Sequence, residues 1–343
     1  MGLDFFCATD HSYDLDDHMD NFLENDPDLK KWHAFKQEVK TLNTNKENIL
    51  IVPGEEISVR NHRDENVHLL IYNSDVFYPG SGDSAEKWFR NRSELAIADV
   101  IDQNKGNALV FAAHPAEAPP FLQRLFIKRG HWHLQDCCSE GLTGMQFIND
   151  GESSSIRNGI RLWVDTLLLG HRRIGLAGTD AHGNFARYRQ IGFPFFTINE
   201  HYQHLFGKWR TGVYLNNNPI GIPPILNSIR QGNCFVTDGP ALQFKVLSGE
   251  SWHPMGSTGV TPIKIHLMAR SSPEFNSLAT VKIFIGSFDS GTEKILIDES
   301  FKDERFEYDQ TIPLKQVIEK GYLRAEVCTK SGSMALSNPI WTE

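Results

Sequence analysis

The sequence predicts an α/β domain followed by an antiparallel β domain. Three observations carry that expectation. Up to about residue 200, short apolar runs alternate with longer polar or helical stretches. From about residue 240 the texture changes to strand, turn, strand. The longest clean apolar stretch, Ala108–Ala113, is six residues, far below the roughly 18 that a membrane span needs. A chain of 343 residues suggests two domains at roughly 150 residues each. The boundary is expected at the turn Thr237-Asp238-Gly239-Pro240, which separates 1–238 from 239–343.

The apolar runs of the first part are Leu3–Thr9, Ile49–Val52, His68–Tyr72, Ala108–Ala113, Met145–Ile148 and Ile174–Ala177. Short runs that are apolar on both faces read as buried parallel strands. Between them lie helix candidates at Leu29–Leu42, Glu94–Asn104 and Ser155–Leu169. In the last, Ile156, Ile160, Trp163 and Leu167 share one face, and Gly170 stands where a C-cap glycine belongs. Such alternation means an α/β barrel or a doubly wound sheet. In the second part, strands are expected at Gln243–Leu247, Ile263–Ala269, Thr280–Ile285, Lys294–Ile297, Arg305–Ile312, Tyr322–Cys328 and Met334–Trp341. Alternation such as Leu323, Ala325, Val327 is the half-buried strand pattern, and this many short strands indicate a β-sandwich.

Composition narrows the function classes. The formal charge is −9, which lacks the basic footprint of a nucleic-acid binder, so neither a nucleic-acid nor a membrane partner is expected. Five cysteines without a CxxC pair argue against a disulfide framework and fit a reducing compartment. Met1 opens onto Gly2-Leu3-Asp4-Phe5-Phe6 with no signal-peptide form and no myristoylation pattern. The expected location is therefore cytoplasmic, unless an export signal lies upstream. The acidic cluster Asp14, Asp16, Asp17, Asp20 has Met19 where a calcium loop needs glycine and Asn25 where it needs glutamate, which excludes an EF-hand.

Ligand-type side chains follow these runs with regularity. Leu3–Thr9 leads into Asp10-His11, Ile49–Val52 into Gly54-Glu55-Glu56, and Ala108–Ala113 into His114-Pro115. Met145–Ile148 leads into Asn149-Asp150, and Ile174–Ala177 into Gly178-Thr179-Asp180-Ala181-His182. Residues at successive strand ends converge on one rim of an α/β barrel. Imidazole and carboxylate together suit Zn, Mn or Fe. His68 instead opens its run, so its strand must enter the site from another end or direction. A single strand-end histidine is more often a hydrogen-bonded rim residue than a ligand; five strand ends each carrying the right residue type point to a shared site. The histidines at 18, 33, 62, 131, 133, 171, 201, 204, 253 and 266 do not share this placement and are expected on the surface or in packing, with His62 the weakest case.

These segments resemble the PHP (polymerase and histidinol phosphatase) metallohydrolases. Thr9-Asp10-His11 is similar to the family's Thr-Asp-His motif, and Pro53-Gly54-Glu55-Glu56-Ile57, followed by His68, to its Gly-x-Glu motif. His114-Pro115 and Gly178-Thr179-Asp180-Ala181-His182 are similar to its last two metal motifs. Leu162-Trp163, Arg230-Gln231-Gly232-Asn233, Val236-Thr237-Asp238-Gly239-Pro240, Leu323-Arg324-Ala325-Glu326-Val327 and Leu336-Ser337-Asn338-Pro339-Ile340 resemble the CehA/McbA-type branch. The resemblance implies a distorted (β/α)7-type barrel with a C-terminal β-sandwich and two or more divalent metal ions. The family opens on a strand ending in His-x-His, whereas the only His-x-His here is His131-Trp132-His133. The first strand is accordingly expected to be missing, by truncation or loss, which leaves an open seam that invites self-association.

The resemblance places His11, Glu56, His68, His114, Asp180 and His182 in the metal cluster. Glu56 would bridge, with Glu55 its rival if the register slips by one, and Asp10 would orient His11. Asp180 or His182 would also handle proton transfer. Arg187, Arg189 and Arg210, with Asn149, are candidates for holding a small anionic or ester substrate; solvated surface arginines are an equal reading. The expected function is a metal-dependent phosphoesterase. The alternatives are a carbamate or amide ester hydrolase with the same site, and a catalytically impaired metal- or ligand-binding protein.

Overall fold

The computed structural model describes residues 2–45, 49–82, 84, 92–119, 124, 125, 127–149, 153–181, 190–193, 196–199, 206–216, 218–315 and 320–342. They group into two compact units, Met1–Phe147 and Ile148–Glu343. The protein is mixed α/β, with a curled half-barrel sheet and several further sheets. No helix among the described residues is long and apolar enough to cross a membrane.

The first unit contains β1 (Phe5–Ala8), α1 (Ser12–Leu15), a small hairpin of β2 (Asp17–His18) and β3 (Asn21–Asn25), and α2 (Lys30–Thr44). After these come β4 (Leu50–Arg60), β5 (Asn66–Tyr72), α3 (Ile97–Asn104), β6 (Leu109–Ala113), α4 (Leu134–Cys137) and β7 (Gly144–Ile148). Its main sheet runs β1-β4-β5-β6-β7. The expectation of uniformly parallel strands is corrected here. β1 and β4 are parallel, as are β6 and β7, but β5 is antiparallel to both neighbours. The reason lies in β4, which continues to Arg60 and turns back through Asn61–Glu65 directly into β5. A connection this short can join only antiparallel strands. Val52, Ile57, Leu69, Ile71, Val110 and Phe111 form the buried interior.

Two carboxamides fix where two of these strands begin. Asn43, near the end of α2, both donates to the Ile51 carbonyl and accepts its N–H, at 2.8 and 2.9 Å. Asn104, at the end of α3, does the same for Ala108, at 3.0 and 2.8 Å. Each satisfies backbone groups that the sheet leaves over.

The second unit contains α5 (Ser153–Leu168), β8 (Ile174–Ala177), the hairpin of β9 (Gln190–Phe193) and β10 (Phe196–Asn199), β11 (Arg210–Val213), α6 (Ile222–Arg230) and β12 (Cys234–Thr237). Then follow β13 (Ala241–Ser248), β14 (Ser251–Pro254), β15 (Lys264–Arg270), β16 (Leu278–Ser287), β17 (Thr292–Ser300), β18 (Glu307–Pro313), β19 (Gly321–Thr329), β20 (Met334–Ser337) and β21 (Ile340–Thr342). In α5 Trp163 and Leu167 are buried as the spacing requires. Gly170 closes the helix with φ +83° and an N–H to the Leu167 carbonyl, a backbone angle that glycine adopts without strain.

One antiparallel sheet runs β11-β12-β20-β19-β16-β17, with β21 added on β19, and a second runs β14-β13-β15-β18. Their inward residues, among them Phe244, Ile265, Leu267, Val281, Ile283, Leu323 and Val327, form one hydrophobic cluster. β12 precedes residue 239 yet pairs with β20, so this sheet gathers strands from both sides of the expected 238/239 boundary.

Strand β8, which leads to Asp180, is held by side chains. Asn338 accepts the Gly175 N–H at 2.7 Å and donates to its carbonyl at 3.1 Å, and also donates to the Cys234 carbonyl at 2.9 Å. The Thr211 hydroxyl accepts from the Ala177 N–H at 3.1 Å and donates to the Ala177 carbonyl at 3.2 Å. Removing the first clamp would leave buried backbone groups unsatisfied. Asn338→Ala is therefore expected to lower the unfolding free energy by about 2–4 kcal/mol, read from urea denaturation, and Thr211→Val by roughly half as much.

Candidate metal centre

Register brings the first two residues of the centre together. β1 and β4 pair in parallel from Phe5 opposite Leu50 to Ala8 opposite Pro53, and the same register continues to a bridge between His11 and Glu56. There the Glu56 N–H donates to the Asp10 carbonyl at 3.1 Å. Asp10 itself is exposed, and its backbone carbonyl accepts this bond.

Strand alternation then separates the two glutamates. Glu55 faces away from the cluster, where Trp32 Nε1 donates to Oε1 at 2.9 Å, and the Tyr78 N–H and Ser12 hydroxyl donate to Oε2 at 3.3 and 3.4 Å. Burial, only partly offset by these bonds, pushes its carboxyl up to about 7. Glu56 faces the histidines. Because β5 is antiparallel, His68 at its beginning stands opposite Ser58, on the Glu56 side of the sheet and near the end of β6. The opposite strand direction inferred for His68 is thus what the sheet contains.

The imidazoles converge on Glu56. His68 Nδ1 contacts Oε1, His114 Nε2 lies 3.2 Å from the same oxygen, and His11 Nδ1 lies 4.0 Å from Oε2. The His11 and His68 rings are 5.0 Å apart and the His68 and His114 rings 5.4 Å. Burial opposes ionisation of Glu56, but the charges of His68 and His11 and the hydrogen bonds from His114 and His68 hold its carboxyl well below the usual range. His114 reaches this position with φ +31°. Continued alternation past Ala113 would point it away from His68; the left-handed turn brings it back. Such strain in a non-glycine residue is found mainly at functional sites.

One ligand atom from each of His11, Glu56 and His68 lies within 4.8 Å of the others, and this buried group could hold a metal ion. Two imidazoles and a carboxylate suit a divalent transition metal.

Two contributors had no distinguishing mark in the sequence. Glu117 places Oε2 3.4 Å from His114 Nδ1, so that ring has a carboxylate on each side. Its spacing, three residues after His114, was the available clue. Arg129 lays its guanidinium against His68, with Nη2 3.0 Å from Nδ1 and Nη1 close to Nε2. It arrives there because its backbone forms a parallel bridge to Asn66, two residues before His68.

Asp180 belongs to the second unit, beyond β8, with φ +48°. His182, Arg187 and Arg189 lie outside the described residues. Asn149 is buried just after β7. Arg210 sits in β11 with its guanidinium 5.3 Å from the centre of the Phe275 ring. The His-x-His segment is used differently: Trp132 points inward and donates to the His68 carbonyl at 2.9 Å. His133 lies beside His62, whose Nδ1 is 2.9 Å from Asp136 Oδ2.

No family model, curated protein or solved structure matches this chain.

Two outcomes test the centre. Zn²⁺ or Mn²⁺ added to chelator-treated protein is expected to raise its melting temperature, since a ligand that binds only the native state stabilises it, and Glu56→Ala to abolish that shift. Glu117→Gln is expected to weaken metal affinity by roughly 10- to 100-fold without changing stoichiometry, as read by titration calorimetry.

Proposed function

We propose that the chain is a metal-dependent hydrolase of phosphoesters, built on the PHP barrel and C-terminal β-sandwich that its motifs resemble. The observation that carries this reading is the convergence of His11, His68 and His114 on the buried Glu56 carboxylate. They are four of the six positions at which the resemblance places ligands, the others being Asp180 and His182. His11, Glu56 and His68 would hold the ion, with His114 as a fourth ligand. When bound, a divalent metal supplies Lewis acidity, making water acidic and polarising a phosphoryl or carbonyl oxygen.

The protein's own groups set the rest. With an ion bound, Glu117 would accept the His114 Nδ1–H and leave the Nε2 lone pair for the metal. Trp132 donates to the His68 carbonyl and so fixes the backbone that carries this ring. Arg129 brings a permanent positive charge to the edge of the cluster. A guanidinium can grip two oxygens of a phosphate at once, whereas a neutral carbamate offers it less. This favours an anionic substrate over the carbamate alternative.

The deciving comparison is between p-nitrophenyl phosphate or its diester and an aryl carbamate, using Zn- or Mn-loaded protein. Phosphoester turnover that disappears with chelator is the expected result. Arg129→Ala should then raise KM for the phosphoester about tenfold or more and leave any carbamate turnover unchanged. Turnover of the carbamate alone would replace this reading with the carbamate hydrolase. Bound metal with neither activity would mean a binding protein.

A further inference from the structure

The second unit contains a cavity of about 410 Å³ that shares no residue with the metal centre. It lies at the beginning of β8, between the end of α6, the turn after β14 and the link from β20 to β21. Its volume is within the range of small-molecule sites, roughly 300–1,000 Å³.

Its charge is unlike that of the chain. Arg172, Arg173 and Arg230 line it, and none of its sixteen lining residues is acidic, in a protein of formal charge −9. A concave wall with one sign of charge focuses its field on an incoming counter-ion. Arg173 is buried, with its backbone carbonyl accepting Trp163 Nε1–H at 2.9 Å. Arg172 lies over the Trp341 ring, 5.9 Å from its centre, and Trp341 supplies a flat apolar wall.

Polar groups complete the lining. Asn233 is 2% exposed; its Nδ2 donates to the Tyr214 carbonyl at 3.0 Å, while Oδ1 has no hydrogen-bond partner among the described residues. A buried acceptor left unmet is costly unless something donates to it. The Ser257 side chain also borders the space. The wall is built to close tolerance: Gly256 adopts φ +83°, and a Cβ there would lie 1.7 Å from the Gln231 carbonyl oxygen.

We propose that this cavity is a ligand site for a small molecule that joins an anionic head, phosphate or carboxylate, to a flat apolar body. The arginines take the head by charge-assisted hydrogen bonds. The Trp341 ring takes the flat body. Asn233 Oδ1 accepts a hydrogen bond from a hydroxyl or N–H on the ligand.

Phenylphosphonate is a suitable probe because it has both parts and no ester bond to hydrolyse. Titration calorimetry would use the full chain after chelator treatment, so the result does not depend on the hydrolase reading. Saturable binding is expected, weakened about tenfold or more by Arg172→Ala or Arg230→Ala. Both residues are exposed, so the variants should keep the parent melting temperature. Glu56→Ala and Arg129→Ala should leave the affinity unchanged. Benzoate in the same titration tells whether a carboxylate head suffices, and inorganic phosphate should bind at least tenfold more weakly because it lacks the flat body. The proposal is overturned if phenylphosphonate shows no saturable binding at millimolar concentration, if its affinity falls with Arg129 and not with Arg172 or Arg230, or if inorganic phosphate binds equally well.

Discussion

Burying the charge of Glu56 is the constraint on which the first unit depends. An ionised carboxylate inside a sheet is strongly disfavoured unless opposite charge and hydrogen bonds surround it. Here three imidazoles from three different stretches of chain perform that service. Each stretch therefore has to end in the right place. The parallel β1–β4 register carries His11 to Glu56, the reversed direction of β5 turns His68 toward it, and a left-handed residue after β6 recovers His114. The reversed strand and the left-handed turn at His114 thus serve one electrostatic requirement.

Much of this was legible from residue order, because ligand-type side chains stand at the ends of apolar runs. His11, Glu56 and His114 could be singled out for that reason, and His68 was marked as entering differently by opening its run. Strand direction was less legible. The apolar part of β4 stops at Val52, while the strand continues through Pro53, Gly54 and two glutamates to Arg60, a stretch whose composition argues for a loop. Its pairing with β5 is what makes it a strand. Arg129 and Glu117 left no trace in periodicity, since their roles come from tertiary proximity and not from a place in a repeating pattern. Arg210 shows the converse: a plausible anion-binding residue by type, engaged in the structure with an aromatic ring.

The second unit solves a different problem by similar chemistry. β8 is only four residues long, too short to be fixed by a long ladder. A carboxamide and a hydroxyl, each satisfying both backbone groups of one residue, add to its hold. Asn338 stands also at the rim of the arginine-lined cavity, so the residue that positions the strand to Asp180 helps to shape the other site.

The Asn338 clamp spans 163 residues of chain. Closing so long a loop is slow and comes late, because its entropy must be lost before the contact gives anything back. On the ribosome, where the chain emerges from its N-terminus, β8 is therefore made long before its clamp exists. Until synthesis has passed residue 338, the backbone groups of Gly175 must be satisfied by water or by a chaperone. Termination before residue 338 would therefore release a chain in which β8 lacks this clamp.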